Sequence, residues 1–168
     1  MNDFGEPETG KRRSVNLEFS SNAPRSSKKA LEELLFLNPH QHLVREGIIN
    51  SLAKFGHPRL VETEHGWSVI VGAEEAQTLF AFDRARLVQD PVGVVVFLRT
   101  PPSDIVIAHV AVHPDYALQA GKVGAGLGVA LIEKVMEIAT RIVGVRRIVF
   151  FYRQRVVIQL TPRTAAGQ

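Results

Sequence analysis

Seven consecutive residues, Val92-Gly93-Val94-Val95-Val96-Phe97-Leu98, carry no polar side chain and are mostly β-branched. A strand points successive side chains to opposite faces, so an unbroken apolar run has no face to give to water. The run is therefore expected to be a central strand covered on both sides, and the rest of the chain must supply two covering layers.

The surrounding sequence supplies candidates for the sheet. From Arg59 onward the rhythm is of short β-branched and aromatic stretches broken by turn residues: Arg59 to Thr63, Trp67 to Val71, Thr78 to Phe82, Val92 to Leu98 and Ile105 to Val112. Glu64-His65-Gly66 separates the first two. Thr100-Pro101-Pro102-Ser103-Asp104 is short enough to join antiparallel neighbours directly. A mostly antiparallel meander is predicted, with Arg147 to Tyr152 and Arg155 to Leu160 as two later strands.

The covering layers are predicted as helices. Lys28 to Leu37 places Leu31, Leu34 and Leu35 at helical spacing, and His40 to Phe55 places Leu43, Ile48, Leu52 and Phe55 on one broad face. Asn38-Pro39 divides the two, and Gly56 with Pro58 stops the second. A stronger helix spans Gly126 to Val143: Leu127, Ala130, Leu131, Val135, Ile138, Ala139 and Ile142 form its apolar stripe, while Glu133, Lys134, Glu137 and Arg141 occupy the other side. The N-terminal pair is expected on one face of the sheet and this helix on the other. The fold class expected is thus α/β, an α+β mixed sheet: a central, twisted, mostly antiparallel sheet flanked by helices. Residues 1–28 lack a periodic apolar face and read as a flexible arm, 29–160 as a single domain, and 161–168 as a tail.

Composition removes several chemistries. With no Cys among 168 residues, disulfide scaffolds, thiolate metal sites and cysteine nucleophiles are excluded. His40-Gln41-His42 has no nearby carboxylate and fixes no coordination geometry, so no metal site is expected. The start has no basic segment leading into an apolar one, and no run of about 18 apolar residues occurs, so a cytoplasmic protein without a membrane segment is expected. Charge is uneven: residues 1–30 hold six Lys+Arg against four Asp+Glu, residues 31–140 eight against thirteen, and residues 141–168 six against none. Arg141, Arg146, Arg147, Arg153, Arg155 and Arg163 are scattered rather than packed into one run. A solvated strand edge and tail accounts for them better than nucleic acid, which is not an expected partner.

Function is concentrated where a strand ending Val110-Ala111-Val112-His113-Pro114 leads through a loop to Gly124-Ala125-Gly126-Leu127-Gly128 at the mouth of the strong helix. Glycines let a ligand approach the backbone closely, and first-turn N–H groups have no intrahelical acceptor. Such a terminus is an anion site suited to a pyrophosphate. Val129 follows Gly128, so the Gly-Lys-Ser/Thr ending of a P-loop is missing, and the dinucleotide pattern G-x-G-x-x-G fails at the same residue.

Residues 92–152, with a long hairpin, Val-His-Pro closing a strand, a glycine loop, an amphipathic helix and a further strand, resemble the GCN5-related N-acetyltransferases (GNAT), a family of acyl-CoA-dependent N-acyltransferases. The resemblance implies that Gly124, Ala125, Gly126, Leu127 and Gly128 cradle the pyrophosphate of coenzyme A. It implies that Val110 and Val112 offer main-chain groups to the pantetheine amides and the acyl carbonyl. The family's Gln or Arg ahead of the glycines is Val123 or Gly121 here, and Lys122 is the available substitute as a phosphate contact. The loop from Pro114 to Gly126 is longer than in the family. The usual helix bearing Asn and Tyr after the fifth strand is replaced by Arg153 to Leu160 and a tail.

The activity implied is direct transfer of an acyl group, with acetyl-CoA as cosubstrate, to an amine of a small molecule or a protein. His109 and His113 are the candidate bases, since imidazole titrates in a useful range and a regular strand would put both on one face. Tyr152 is the candidate acid toward the thiolate, with Tyr116 the other phenol. The alternative is a non-catalytic GNAT-like module that binds acyl-CoA as a signal or acts in protein assembly. The exposed C-terminal strand edges lead to an expected homodimer.

Overall fold

The computed structural model describes residues 15–38, 45–72, 76–117, 126–151 and 155–161. In chain order the elements are β1 (Leu17–Ser20), α1 (Lys28–Phe36), α2 (Arg45–Phe55), β2 (Pro58–Thr63), β3 (Gly66–Val71), β4 (Gln77–Asp83), β5 (Pro91–Thr100), β6 (Asp104–Val112), α3 (Leu127–Thr140), β7 (Arg147–Phe151) and β8 (Arg155–Gln159). Single 3-10 turns lie at Arg25–Ser27 and Pro114–Tyr116.

Six strands form one sheet in the order β1-β4-β5-β6-β7-β8, antiparallel at every junction except β6 with β7, which run parallel. The apolar run of residues 92–98 lies in β5, at the middle of this sheet, and its two faces serve two cores. Val94, Val96 and Leu98 pack with Leu31, Leu34 and Leu35 of α1 and Phe55 of α2. Val95 and Phe97 pack with Leu127, Leu131, Val135 and Ala139 of α3. The expected architecture is the observed one: a mixed α/β fold with a mainly antiparallel sheet and helices on both faces. Gly93 sets how closely α3 lies, because a Cβ there would stand 3.0 Å from Leu127 Cδ2 and 3.0 Å from Leu131 Cδ1.

Two expectations are corrected. The stretch read as a flexible arm over residues 1–28 contains β1, which pairs antiparallel with β4 from Leu17 opposite Asp83 to Ser20 opposite Phe80. Val15, Leu17 and Phe19 alternate with polar neighbours and pack against the α3-side core, so the burial that opposes chain entropy was present in the sequence. The sequence rhythm puts Arg59–Thr63 and Trp67–Val71 in the same meander as the other strands. They form instead a separate two-stranded sheet, β2 with β3. β1 takes the outer edge of β4 only over Phe80–Asp83, and β3 meets the remaining part, at Thr78, without forming a ladder. The hairpin is tied on by a side chain instead: Thr78 Oγ1 accepts from Val69 N–H at 3.0 Å and donates to Val69 O at 2.9 Å. Gly66 lies at φ 123° with Ala23 O so close that a Cβ would stand 2.1 Å from it, which fixes how the hairpin seats against residues 23–25.

The later elements end within a few residues of expectation, α3 stopping at Thr140 rather than Val143 and β7 described to Phe151. The start of the helix expected over His40–Phe55 falls partly outside the described residues, and α2 is described from Arg45.

Candidate functional site

The parallel ladder between β6 and β7 runs only from Asp104 opposite Arg147 to Ile107 opposite Phe150. β6 continues to Val112 while β7 is described only to Phe151, so the last residues of β6 run beyond the ladder and have no described strand on that edge. The clamp at the paired end is the Asp104 carboxylate, which accepts from Arg147 Nε at 2.8 Å and Nη2 at 2.9 Å. Hydrogen bonding to that guanidinium holds the Asp104 carboxyl below its ordinary range despite partial burial.

What that edge presents follows from the ladder on the other side. His113 N–H donates to Val92 O at 2.8 Å, so the main-chain groups of His113 face β5 and those of Val112, and by alternation Val110, face away from it. The two valines named from the sequence therefore point their backbones toward that edge. Part of that offer is already used, since Asn38 Nδ2 donates to Val112 O at 2.6 Å. Val112 N–H and both groups of Val110 remain directed at that edge.

A bulge sits just before this stretch. The register of β5 with β6 passes from Val96 opposite His109 to Phe97 opposite Ile107, leaving Ala108 as the extra residue. Its carbonyl turns to α2, where the buried Ser51 hydroxyl donates to it. Asn38 and Ser51 thus pin α1 and α2 to the strand end. Sequence reasoning passed over both; a polar side chain within the otherwise apolar stripe of a helix, as at Ser51, was the available signal.

The histidines differ sharply. His109 lies opposite Val96, which belongs to the α1 and α2 core, and cross-strand partners share a face. It is 9% exposed, and its Nε2 is buried with no hydrogen-bond partner among the described residues. Burial pushes the imidazole down to about 4, so it is neutral at pH 7. Moving a proton from an alkylammonium near 10 onto such a group is uphill by about 6 units, or about 8 kcal/mol. His109 is not suited to serve as the base expected of it.

His113 lies past the strand end, half-buried, where Asp115 N–H donates to its Nδ1 at 3.2 Å. In the neutral ring an accepting Nδ1 leaves the proton on Nε2, so His113 presents a donor rather than a lone pair. Burial lowers its pKa and Arg86 adds to that, while Asp115 and Glu33 act in the opposite sense with a smaller effect. Tyr116 is also committed: its hydroxyl donates to Asp83 Oδ2 at 2.6 Å, and burial together with that carboxylate pushes it up to about 12. Burial opposes ionisation of Asp83, yet the Tyr116 hydroxyl and Ala85 N–H outweigh it and leave the carboxyl below its ordinary range.

The start of α3 abuts this edge of β6, since a Cβ at Gly128 would lie 3.7 Å from Val112 Cγ2. Gly126 caps the helix at φ 111° with no side-chain cap bond, and the first intrahelical acceptance is Gly126 O from Ala130 N–H at 2.9 Å. The N–H groups of Leu127, Gly128 and Val129 are consequently without helical acceptors. Left-handed backbone explains glycine at 126. At 128 the backbone is ordinary and a methyl group would fit, so nothing in the packing demands glycine there. Lys122, Gly124, Ala125 and Tyr152 lie outside the described residues, as do His40 and His42. Among the described residues no group of three or more His, Cys, Asp or Glu is placed to hold a metal ion, and no helix is long and apolar enough to cross a membrane.

Neither a protein-family model nor a curated protein sequence matches this chain. Solved structures similar to it include an IAA acetyltransferase from Bacillus cereus, at 17% identity over 80% of this chain and 64% of that one, with a TM-score of 0.41. A protein described as a GNAT-family acetyltransferase from Desulfovibrio desulfuricans matches at 19% identity over 81% of this chain and 72% of that one, also with a TM-score of 0.41. A cAMP-binding acyltransferase from Mycobacterium smegmatis matches at 15% identity over 84% and 60%, with a TM-score of 0.37. The chain spans less than two thirds of the length of the first and third.

Proposed function

We propose that this chain is a CoA-dependent N-acyltransferase of the GNAT type, taking acetyl-CoA and acylating an amine of a small molecule or a protein in the cytoplasm. The observation that carries the reading is the run of β6 beyond its ladder with β7, beside an uncapped helix start: an edge with no described partner strand and an anion-binding terminus within one side-chain contact of each other. That pairing suits a ligand with amides in its arm and a pyrophosphate at its end.

When bound, the thioester supplies an acyl carbon already activated toward an amine. The chain's own groups then divide the work. Val110 N–H and C=O with Val112 N–H hold the arm. The N–H groups of Leu127, Gly128 and Val129 would hold the pyrophosphate, and Gly124, Ala125 and Lys122 are assigned to the same role. His113 Nε2–H is a donor for negative charge developing at the thioester. Tyr152 is assigned to protonating the thiolate. With His109 unfit as a base for an ammonium, the amine reaches the site already neutral, so the rate should climb with pH toward the pKa of the acceptor.

One observation favours a second reading. Neither histidine is set up to accept a proton from an ammonium, and Tyr116 is bound to Asp83. An acyl-CoA-binding module without turnover would need none of these groups.

Thermal unfolding with acetyl-CoA, free CoA, ATP and NAD tests the binding half. At 100 times the dissociation constant a ligand adds about 2.7 kcal/mol, or roughly 5–10 °C at this chain length. Gly128→Asp places an anion where the pyrophosphate is assigned while suiting a helix start, so it should keep the unliganded midpoint and lose the CoA shift. An equal shift in the variant would remove the cradle, and no shift with either CoA species would overturn the reading. Release of free thiol from acetyl-CoA across a panel of amines then separates the transferase from the module.

A further inference from the structure

β8 ends the six-stranded sheet, and its outer edge pairs with no described strand. The ladder on its inner side fixes what that edge offers. Leu160 N–H donates to Arg146 O at 2.8 Å, and the register continues from Arg147 opposite Gln159 to Phe151 opposite Arg155. Alternation then turns the main-chain groups of Val156 and Ile158 toward β7 and those of Arg155, Val157 and Gln159 outward. Within β8 there is no proline and no bulge against β7, and its one charged residue, Arg155, lies at the end of the strand.

We infer that β8 is the docking surface for a second copy of this chain, strand against antiparallel strand, about a two-fold axis through Val157. The segment Arg155-Val156-Val157-Ile158-Gln159 is complementary to itself in that register. Val157 meets Val157 of the second copy, Arg155 meets Gln159, and Val156 meets Ile158, so no like charges stand opposite each other. The residues paired through hydrogen bonds about this axis are the three whose main-chain groups already face outward, which gives about six bonds across the seam. Moving the axis to Arg155 would set two guanidinium groups face to face. On one side of the sheet the seam buries Val157, which is 37% exposed in the single chain. On the other side it joins Ile158, packed at the margin of the α3 core, to Val156 of the partner copy. The opposite edge is a weaker candidate, because β1 has four residues and its Glu18 is tied to Arg84 at 2.7 Å. This interface is independent of the acyl-CoA reading, and either can fail without the other.

Sedimentation velocity across a concentration series, with hydrogen exchange on the same samples, tests the interface. The intact chain should be a dimer at tens of micromolar, and the amides of Arg155, Val157 and Gln159 should gain protection as the dimer forms. Val157→Pro removes an N–H that the β7 ladder does not use and blocks the partner strand, so it should weaken association at least 10-fold with an unchanged circular dichroism spectrum. Val157→Lys, which opposes two ammonium groups across the axis through an exposed side chain, should do the same if the proline variant folds poorly. Gln159→Glu, which faces Arg155 of the second copy, should tighten association several-fold. A monomer throughout the series overturns the inference, as does a dimer that both Val157 variants leave intact. Outward amides protected equally at all concentrations would overturn it too, since the edge would then be covered from within the chain.

Discussion

Lowering the pH should destabilise this protein through one buried side chain, His109. In the unfolded chain its imidazole takes up a proton near 6.5, while in the folded protein burial delays this to about 4. Between those values the unfolded state holds more protons, so stability is intact above pH 6.5, falls as pH drops, and stops falling from this source near pH 4. The displacement of about 2.5 units is worth about 3 kcal/mol, a large part of the 5–15 kcal/mol typical of a domain. His109→Leu isolates it. At pH 7 the variant removes a buried Nε2 that has no partner among the described residues, an arrangement that costs about 1–3 kcal/mol, so it should be as stable as the parent or more so. Denaturant unfolding of both proteins from pH 7.5 to 4 should show the parent losing about 3 kcal/mol more than the variant. Asp83, Asp104 and His113 are common to both and drop out of the difference. Parallel curves would refute the reasoning, and so would an NMR titration placing His109 near 6.5.

Gly93→Val puts branched carbons where a single Cβ already stands 3.0 Å from two leucines of α3, so overpacking should cost about 1–3 kcal/mol by denaturant unfolding. Gly93→Ala should cost less, because Leu127 Cδ2 and Leu131 Cδ1 are side-chain ends that can give. Tyr116→Phe leaves the buried Asp83 carboxylate without its hydroxyl donor and should cost about 1–3 kcal/mol at pH 7. In that variant Asp83 should also ionise at higher pH, so the stability gap between parent and variant should narrow as pH falls through that range; a gap that stays constant would count against the pair. Thr78→Val removes both bonds that stitch the β2–β3 hairpin to β4 and should cost about 1–3 kcal/mol, with hydrogen exchange at Val69 N–H accelerating more than in β5.

Much of this fold was legible because its signals are local and repeat. The apolar run of β5, the stripe of α3 and the short β-branched strands each show their period within a dozen residues. β1 was missed although Val15, Leu17 and Phe19 carry the alternation, because three apolar positions beside a long polar stretch weigh little until a partner strand is known. The separation of β2 and β3 from the main sheet was not legible at all. It depends on contacts between distant segments, among them a strand some sixty residues earlier in the chain that takes the outer edge of β4 over Phe80–Asp83.

The candidate site divides along the same line. Residue types and their order set the chemistry available: no cysteine, glycines opening an amphipathic helix, and two histidines and two valines at the end of one strand. What those groups can do follows from how the folded chain surrounds them. The fold turned the Val110 and Val112 backbones toward an edge that β7 does not reach over its described residues, gave Asn38 the Val112 carbonyl, and used Asp115 to fix the proton of His113 on Nε2. It also buried His109 against a helix region whose packing no spacing in the strand encodes. Residue type sets which protons and lone pairs a side chain owns, but solvent access and the identity of its neighbours set whether it can use them, and both come from segments far apart in the chain.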